Sequence, residues 1–226
     1  MDIFLFYLGD DDVIFVTLPR MKPGIPATLG TVSSEYCDDG SPKVEPYPDW
    51  SWHKEDNCEG LVSVFRTKVT KLQLQFPFPF SSTNLIHFLF QVDDCGRIWI
   101  IDSGVIDVLN TARRICPPKL MVFDLKTKTL MLKYIFPDDV LEHDSLLVTI
   151  AVDNRSKHCR DTFAYIADVT EYGLIVFDSR NHRSWRVNSN YFYPYPIHGT
   201  FNVGGSQFDL MDGVIGLALS PVDKFG

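Results

Sequence analysis

Leu120–Tyr134 reads LMVFDLKTKTLMLKY, and Leu174–Asn188 reads LIVFDSRNHRSWRVN. Set 54 positions apart, the two match as a strand ending in Phe-Asp, a polar turn carrying Lys or Arg, and a second strand. Upstream of each stands another strand ending in an acid, WIIDSG (Trp99–Gly104) and YIADVT (Tyr165–Thr170). A weaker echo relates LVTIAVD (Leu147–Asp153) to VIGLALSP (Val214–Pro221). VIFVTLP (Val13–Pro19), KLMVFDL (Lys119–Leu125) and VIGLALS (Val214–Ser220) are likewise short and β-rich, and no long segment carries helical periodicity. A four-strand unit recurring about every 50 residues predicts an all-β chain of β-propeller blades, with a two-sheet sandwich as the alternative. At that spacing the chain holds about four blades, so an incomplete ring is expected. The acids that recur with the unit, Asp102, Asp124, Asp168 and Asp178, are expected to cap turns rather than catalyse.

Composition bounds the function. A net charge of −8 argues against a nucleic-acid-binding surface, which needs clustered Lys and Arg. No stretch approaches the ~20 apolar residues of a membrane span, so no membrane partner is expected. The 226 residues contain five cysteines (37, 58, 95, 116 and 159), none in a CxxC pair or a zinc-ligand spacing. No metal site is therefore expected, and the pattern fits disulfides in an oxidising compartment. Asn154-Arg155-Ser156 is a glycosylation sequon. There is no GxSxG elbow, HExxH, Walker loop or dinucleotide fingerprint, and no cofactor is expected. The six histidines stand singly, which reads as surface or structural use. Asn190–Gly213, NYFYPYPIHGTFNVGGSQFDLMDG, is an aromatic connection punctuated by Gly. Phe201 and Phe208 are pocket candidates for stacking a flat phenolic or indolic ligand, and Asp209 for holding its ammonium. Inter-blade packing is the alternative use of those rings.

The blocks DWSWHKEDNCEGLVSVFR, VDDCGRIWIIDSG, CPPKLMVFDLKT, DTFAYIADVTEYGLIVFD, RSWRVNSNYFYP and GTFNVGGSQFDLMDGVIGLALSP resemble, in order, the insect yellow and major royal jelly protein family. VIFVTLPRMKPGIPATL resembles its N-terminal block, with Met21 where the family has Trp. The resemblance implies a secreted protein with a six-bladed propeller, built from a longer chain. It departs at MDIFLFYLGDDD, where the family carries a signal peptide and further strand sequence. Cys58, Cys95, Cys116 and Cys159 fall in blocks where the family carries Cys, and Cys37 does not. The expected pairing is Cys95 with Cys116 and Cys58 with Cys159, one of three that four cysteines allow. The implied roles are pigmentation and cuticle melanisation with binding of a biogenic amine or catechol, dopachrome conversion, or a nutritional, amine-binding function.

Val69–Gln91, VTKLQLQFPFPFSSTNLIHFLFQ, interrupts this resemblance. Without it, FRTK runs directly into VDDCGR, as the family pattern does. Val codons begin with the splice-donor GT, Gln can be encoded as the acceptor CAG, and the Phe, Pro, Leu and Ser between can be pyrimidine-rich. The segment therefore reads as a translated intron; a membrane-binding loop and an inserted hairpin are the competing readings.

Overall fold

The computed structural model describes residues 4–8, 14–36, 40, 42–54, 56–70, 95–156 and 159–220. Cys37, His87, His158 and residues 71–91 lie outside them. The chain is all-β, with three four-stranded antiparallel sheets following one another in sequence. The first is β1 (Phe4–Leu8), β2 (Ile14–Thr17), β3 (Leu29–Tyr36) and β4 (Pro42–Pro46), in that order. The second contains β5 (Val64–Thr70) and β6 (Arg97–Asp102), then, after a small hairpin of β7 (Val105–Ile106) and β8 (Arg113–Arg114), β9 (Lys119–Asp124) and β10 (Leu130–Ile135). The third runs β11 (Leu147–Asn154), β12 (Thr162–Asp168), β13 (Gly173–Asp178) and β14 (Arg183–Asn188), and the hairpin β15 (Thr200–Val203)–β16 (Ser206–Asp209) follows. Among the described residues the only helices are three single 3₁₀ turns, so none is long and apolar enough to cross a membrane.

The second sheet explains why RIWIID has no polar side. Successive side chains point to opposite faces. Ile98, Ile100, Met121 and Phe123 pack against Phe15, Leu29 and Tyr47 of the first-sheet region. Trp99, Ile101, Leu120 and Val122 pack against Ile150, Val152, Ala164, Ile166, Ile175 and Phe177 of the third. With both faces covered, every residue of β6 is buried. Each fully buried apolar side chain contributes about 1.5–3 kcal/mol, so this sheet anchors the stack. β5 lies beside both β1 and β11, which places the first strands of the three sheets next to one another.

The repeated turns match position for position. Asp124 Oδ1 accepts from Lys126 N (3.0 Å), Thr127 N (2.7 Å) and Thr127 Oγ1 (2.9 Å). Asp178 accepts from Arg180 N (3.1 Å), Asn181 N (3.2 Å) and Asn181 Nδ2 (2.7 Å). Lys128 and His182, again 54 apart, close the two turns in the left-handed region at φ 57° and 49°. Both carboxylates titrate below the usual range. For Asp124 the cause is hydrogen bonding from Thr127. For Asp178 burial pushes upward, and the bonds from Asn181 and Arg180 outweigh it.

Two expectations need correction. The disulfides are Cys58–Cys116 and Cys95–Cys159, with Cα atoms 5.4 and 6.1 Å apart, not Cys95–Cys116 and Cys58–Cys159. Cys95 precedes β6 and Cys116 lies beyond its other end. Six extended residues span roughly 20 Å, while bridged Cα atoms lie within about 7 Å. Each bridge therefore closes one end of the second sheet. VIGLALS is the second correction: 214–220 forms no strand. It has no ladder among the described residues, only isolated anchors such as Gly213 N to Val169 O (2.8 Å) and Thr149 Oγ1 to Ile215 O. An apolar alternation becomes a strand only where another backbone supplies its hydrogen bonds.

Candidate functional site

The ends of β6 and β12 point to the same face of the stack, and each ends in a buried carboxylate. Asp102 is fully buried and accepts four contacts. Oδ2 takes Val62 N (2.7 Å), Oδ1 takes Ser63 N (2.8 Å) and Gly104 N (3.1 Å), and Lys119 Nζ lies 2.8 Å from Oδ2. The lysine contact is ionic, without a well-aligned N–H···O. Asp168, equally buried, accepts from Leu146 N (2.9 Å), Ser145 Oγ (2.5 Å) and Arg186 Nη1 (2.9 Å). Arg186 also donates to Val140 O (3.3 Å) and Glu171 O (2.7 Å). These carboxylates fasten the segment that enters each sheet to the end of its second strand, and they are saturated by doing so. Sequence reading expects turn caps at all four repeated acids; Asp102 caps the turn at Gly104 and also binds Val62 and Ser63 far away in sequence, while Asp168 binds only distant chain among the described residues.

A cavity of about 500 Å³ opens beside them, lined by Arg114, Pro117, Asp138, Leu141, Glu142 and His143 among others. That volume is in the range of small-molecule sites. Arg114 is placed by the β7–β8 hairpin, where Val105 pairs with it. The chain turns into this hairpin at Gly104, whose φ is +66°. A Cβ there would lie 2.0 Å from the Cys116 carbonyl oxygen, so the close approach demands Gly. Arg114 Nη2 donates to Ser145 O (2.5 Å), and the Ser145 hydroxyl donates to Asp168, which links the cavity wall to the third sheet's ion pair. The Cys58–Cys116 bridge pins the other side. His143 stands at the mouth, 95% exposed, with Nδ1 2.7 Å from Asp144 Oδ1. The wall therefore combines a guanidinium, two carboxylates and an imidazole oriented by a carboxylate. This set can bind an ammonium, polarise an oxygen and accept a proton.

Among the described residues no cluster of three or more His, Cys, Asp or Glu could hold a metal ion. Phe201 and Phe208 face each other across β15–β16, stacked with centroids 5.6 Å apart, and both are exposed. Asp209 accepts from Thr200 Oγ1 (2.7 Å). The 500 Å³ cavity is not lined by these three residues. Asn154 is half-buried, and its Nδ2 faces the sulfurs of Cys95 (3.2 Å) and Cys159 (3.9 Å). Sequence reading missed Arg114 and His143, because their meeting depends on the loop after β6 lying against the loop before β11. Lys119 had a signal: a lone cation opening an apolar strand, directly across from Asp102.

An all-β stack of four-stranded sheets, crossed by two disulfides and carrying a cavity at the loop ends, defines the class. The sequence profile of the major royal jelly protein family matches residues 88–226. The chain is 38% identical over 209 residues to the dopaminechrome tautomerase of Drosophila melanogaster, covering 91% of this chain and 40% of that protein. It is 35% identical over 216 residues to protein yellow of Drosophila madeirensis (94% and 34%) and of Drosophila melanogaster (94% and 36%). The chain belongs to the yellow and major royal jelly protein family, and it spans between about a third and two fifths of the length of these relatives.

Proposed function

We propose that this chain is part of a secreted pigmentation protein whose loop-end cavity binds a small aromatic amine or catechol. The observation that carries the reading is the cavity wall itself: Asp138 and Glu142 for an ammonium, Arg114 for a catechol or quinone oxygen, and Leu141 with Pro117 for the ring. Likeness to yellow proteins supports the pigmentation role, and two disulfides fit an extracellular setting. Titration of the chain with dopamine tests it. Binding that Asp138→Asn and Glu142→Gln together weaken supports the reading, and binding indifferent to both rejects it.

A second reading has its own support in His143 and in the likeness to a dopaminechrome tautomerase. Conversion of an aminochrome to its dihydroxyindole isomer moves two protons, one at a time, from the saturated ring carbons to the two quinone oxygens, each with its electron pair flowing toward the oxygen, so atoms and charge balance without a redox partner. His143 would take a proton and Arg114 would stabilise an oxygen. Catalysed loss of dopaminechrome colour, abolished by His143→Ala, supports an enzyme; dopamine binding without turnover supports a carrier.

The architecture we infer is a β-propeller, six-bladed as in the family, with the three sheets as consecutive blades. Their side-by-side first strands support this, as do Trp185, Val187, Tyr191, Ile197 and Ile215, apolar residues left exposed beyond the third sheet where a further blade would cover them. A structure of a longer product in which the sheets do not close into a ring would reject it.

The translated-intron reading of 69–91 gains support from the β5–β6 hairpin. There Val69 pairs with Ile98 and Thr70 with Arg97, and Gly96 has φ +60°. Removing 69–91 would put Val92 and Asp93 opposite the same partners, leaving Asp94-Cys95-Gly96 as the loop. A three-residue hairpin loop ending in a left-handed Gly is a favoured connection. A transcript that retains these codons as its main form would defeat the reading. Asn154 remains the proposed glycosylation residue, read by mass spectrometry of the secreted product.

A further inference from the structure

At the opposite end of β6 from the candidate site, a second cavity of about 350 Å³ lies between the second and third sheets. Its described wall is cationic and apolar. Arg97, Arg160 and Arg180 line it with Trp99 and Leu132, and none of its described lining residues is acidic. In a chain of net charge −8, such a concentration of positive charge needs a reason.

The wall is built rather than incidental. Arg97 is 9% exposed and is held by hydrogen bonds to Cys159 O (3.3 Å) and Thr162 Oγ1 (3.2 Å), with its guanidinium 5.2 Å from the Trp99 ring centroid. The Cys95–Cys159 bridge fixes the turn that carries Arg160. Arg180 is paired with Asp161 (2.9 Å), which leaves Arg160, exposed and without a side-chain ion pair among the described residues, as the cation free to meet a ligand. Trp99 is 1% exposed, and its indole N–H has no acceptor among the described residues. Buried donors are nearly always satisfied, so this one marks the wall as short of an acceptor.

We propose that this cavity binds a small aromatic carboxylate. Its ring lies against Met131 and Leu132, and its anionic group takes the Arg160 guanidinium and the Ser179 hydroxyl. The preference is opposite in charge to that of the loop-end cavity, and it does not depend on the function proposed above.

Indole-3-acetate and tryptamine share a ring and differ in the sign of the side chain, so they separate the two cavities. In calorimetric titrations of the full chain at low salt, indole-3-acetate is expected to bind at least about tenfold tighter to the wild type than to Arg160→Glu. Added salt should weaken it, as for an exposed charge pair. Ser179→Glu should act in the same direction. The paired Asp138→Asn and Glu142→Gln changes should leave indole-3-acetate binding unaltered. No heat of binding at millimolar indole-3-acetate would overturn the proposal. So would affinity unchanged in folded Arg160→Glu and Ser179→Glu proteins, or tryptamine competing on equal terms for the same site.

Discussion

The second and third sheets solve one problem with different residues. Each buries an aspartate at the end of its second strand, and each uses that aspartate to hold the backbone entering the sheet. In the second sheet the neutralising cation is Lys119, directly across the ladder on the third strand. In the third sheet the matching position, 54 residues on, is Gly173, and the cation is Arg186 on the fourth strand. Arg186 in turn matches Leu132 of the second sheet. The glycine is what permits the exchange: a Cβ on Gly173 would lie 2.3 Å from an Arg186 guanidinium nitrogen. A structural repeat thus preserves the electrostatic requirement while the residue that meets it moves from strand to strand.

Transplanting one solution into the other sheet is the sharpest way to break this comparison. Arg186→Leu alone strands a buried carboxylate and is expected to cost about 3–5 kcal/mol, read by denaturant unfolding. Adding Gly173→Lys rebuilds the second sheet's arrangement, and should recover more than half of that loss. A double variant no more stable than Arg186→Leu would show that the two pairs are not equivalent.

The first-sheet region contributes a neutral counterpart. His53 is buried, accepts from Thr28 N (3.4 Å) at Nδ1 and donates from Nε2 to Tyr47 O (3.0 Å). Desolvation by burial lowers its pKa to about 4, against the bond to Tyr47, which raises it. The unfolded chain takes up this proton near pH 6.5 and the folded chain only near 4. Stability is therefore full above pH 6.5 and falls by roughly 3 kcal/mol as pH drops to 4. His53→Gln should flatten that part of the pH profile, measured as unfolding midpoint against pH.

Gly104 separates the sheets again, since the matching position in the third is Thr170. Gly104→Thr introduces a left-handed β-branched residue against the Cys116 carbonyl, and should cost about 1–3 kcal/mol. The smallest contrast lies in the matched turns. Asp124→Ala removes a half-buried cap and should cost about 1 kcal/mol. Asp178→Ala, at a residue 4% exposed, should cost more, as thermal unfolding of the two variants will show.

Legibility followed the range of the interactions. RIWIID and GLIVFD are strands at the residues their β-rich composition and flanking turn residues predict. The matched Phe-Asp turns were equally readable, because an Asp capping the next three residues is a local event. The same Asp at the end of WIID and YIAD carried no local sign of its task, since Val62 lies 40 positions from Asp102. VIGLALS shows the limit from the other side: its pattern is that of a strand, and it lacks a partner to pair with.

The repeated strand–turn–strand units could be read from the sequence, because β-rich runs and turn chemistry act within a few residues. The sequence also determined the family, through collinear blocks. Only the tertiary structure decided which cysteines join, which cation neutralises each buried aspartate, and which loops meet to form the two cavities. Those outcomes depend on distances between segments 15 to 64 positions apart, and a linear pattern does not encode which end of a strand faces which neighbour.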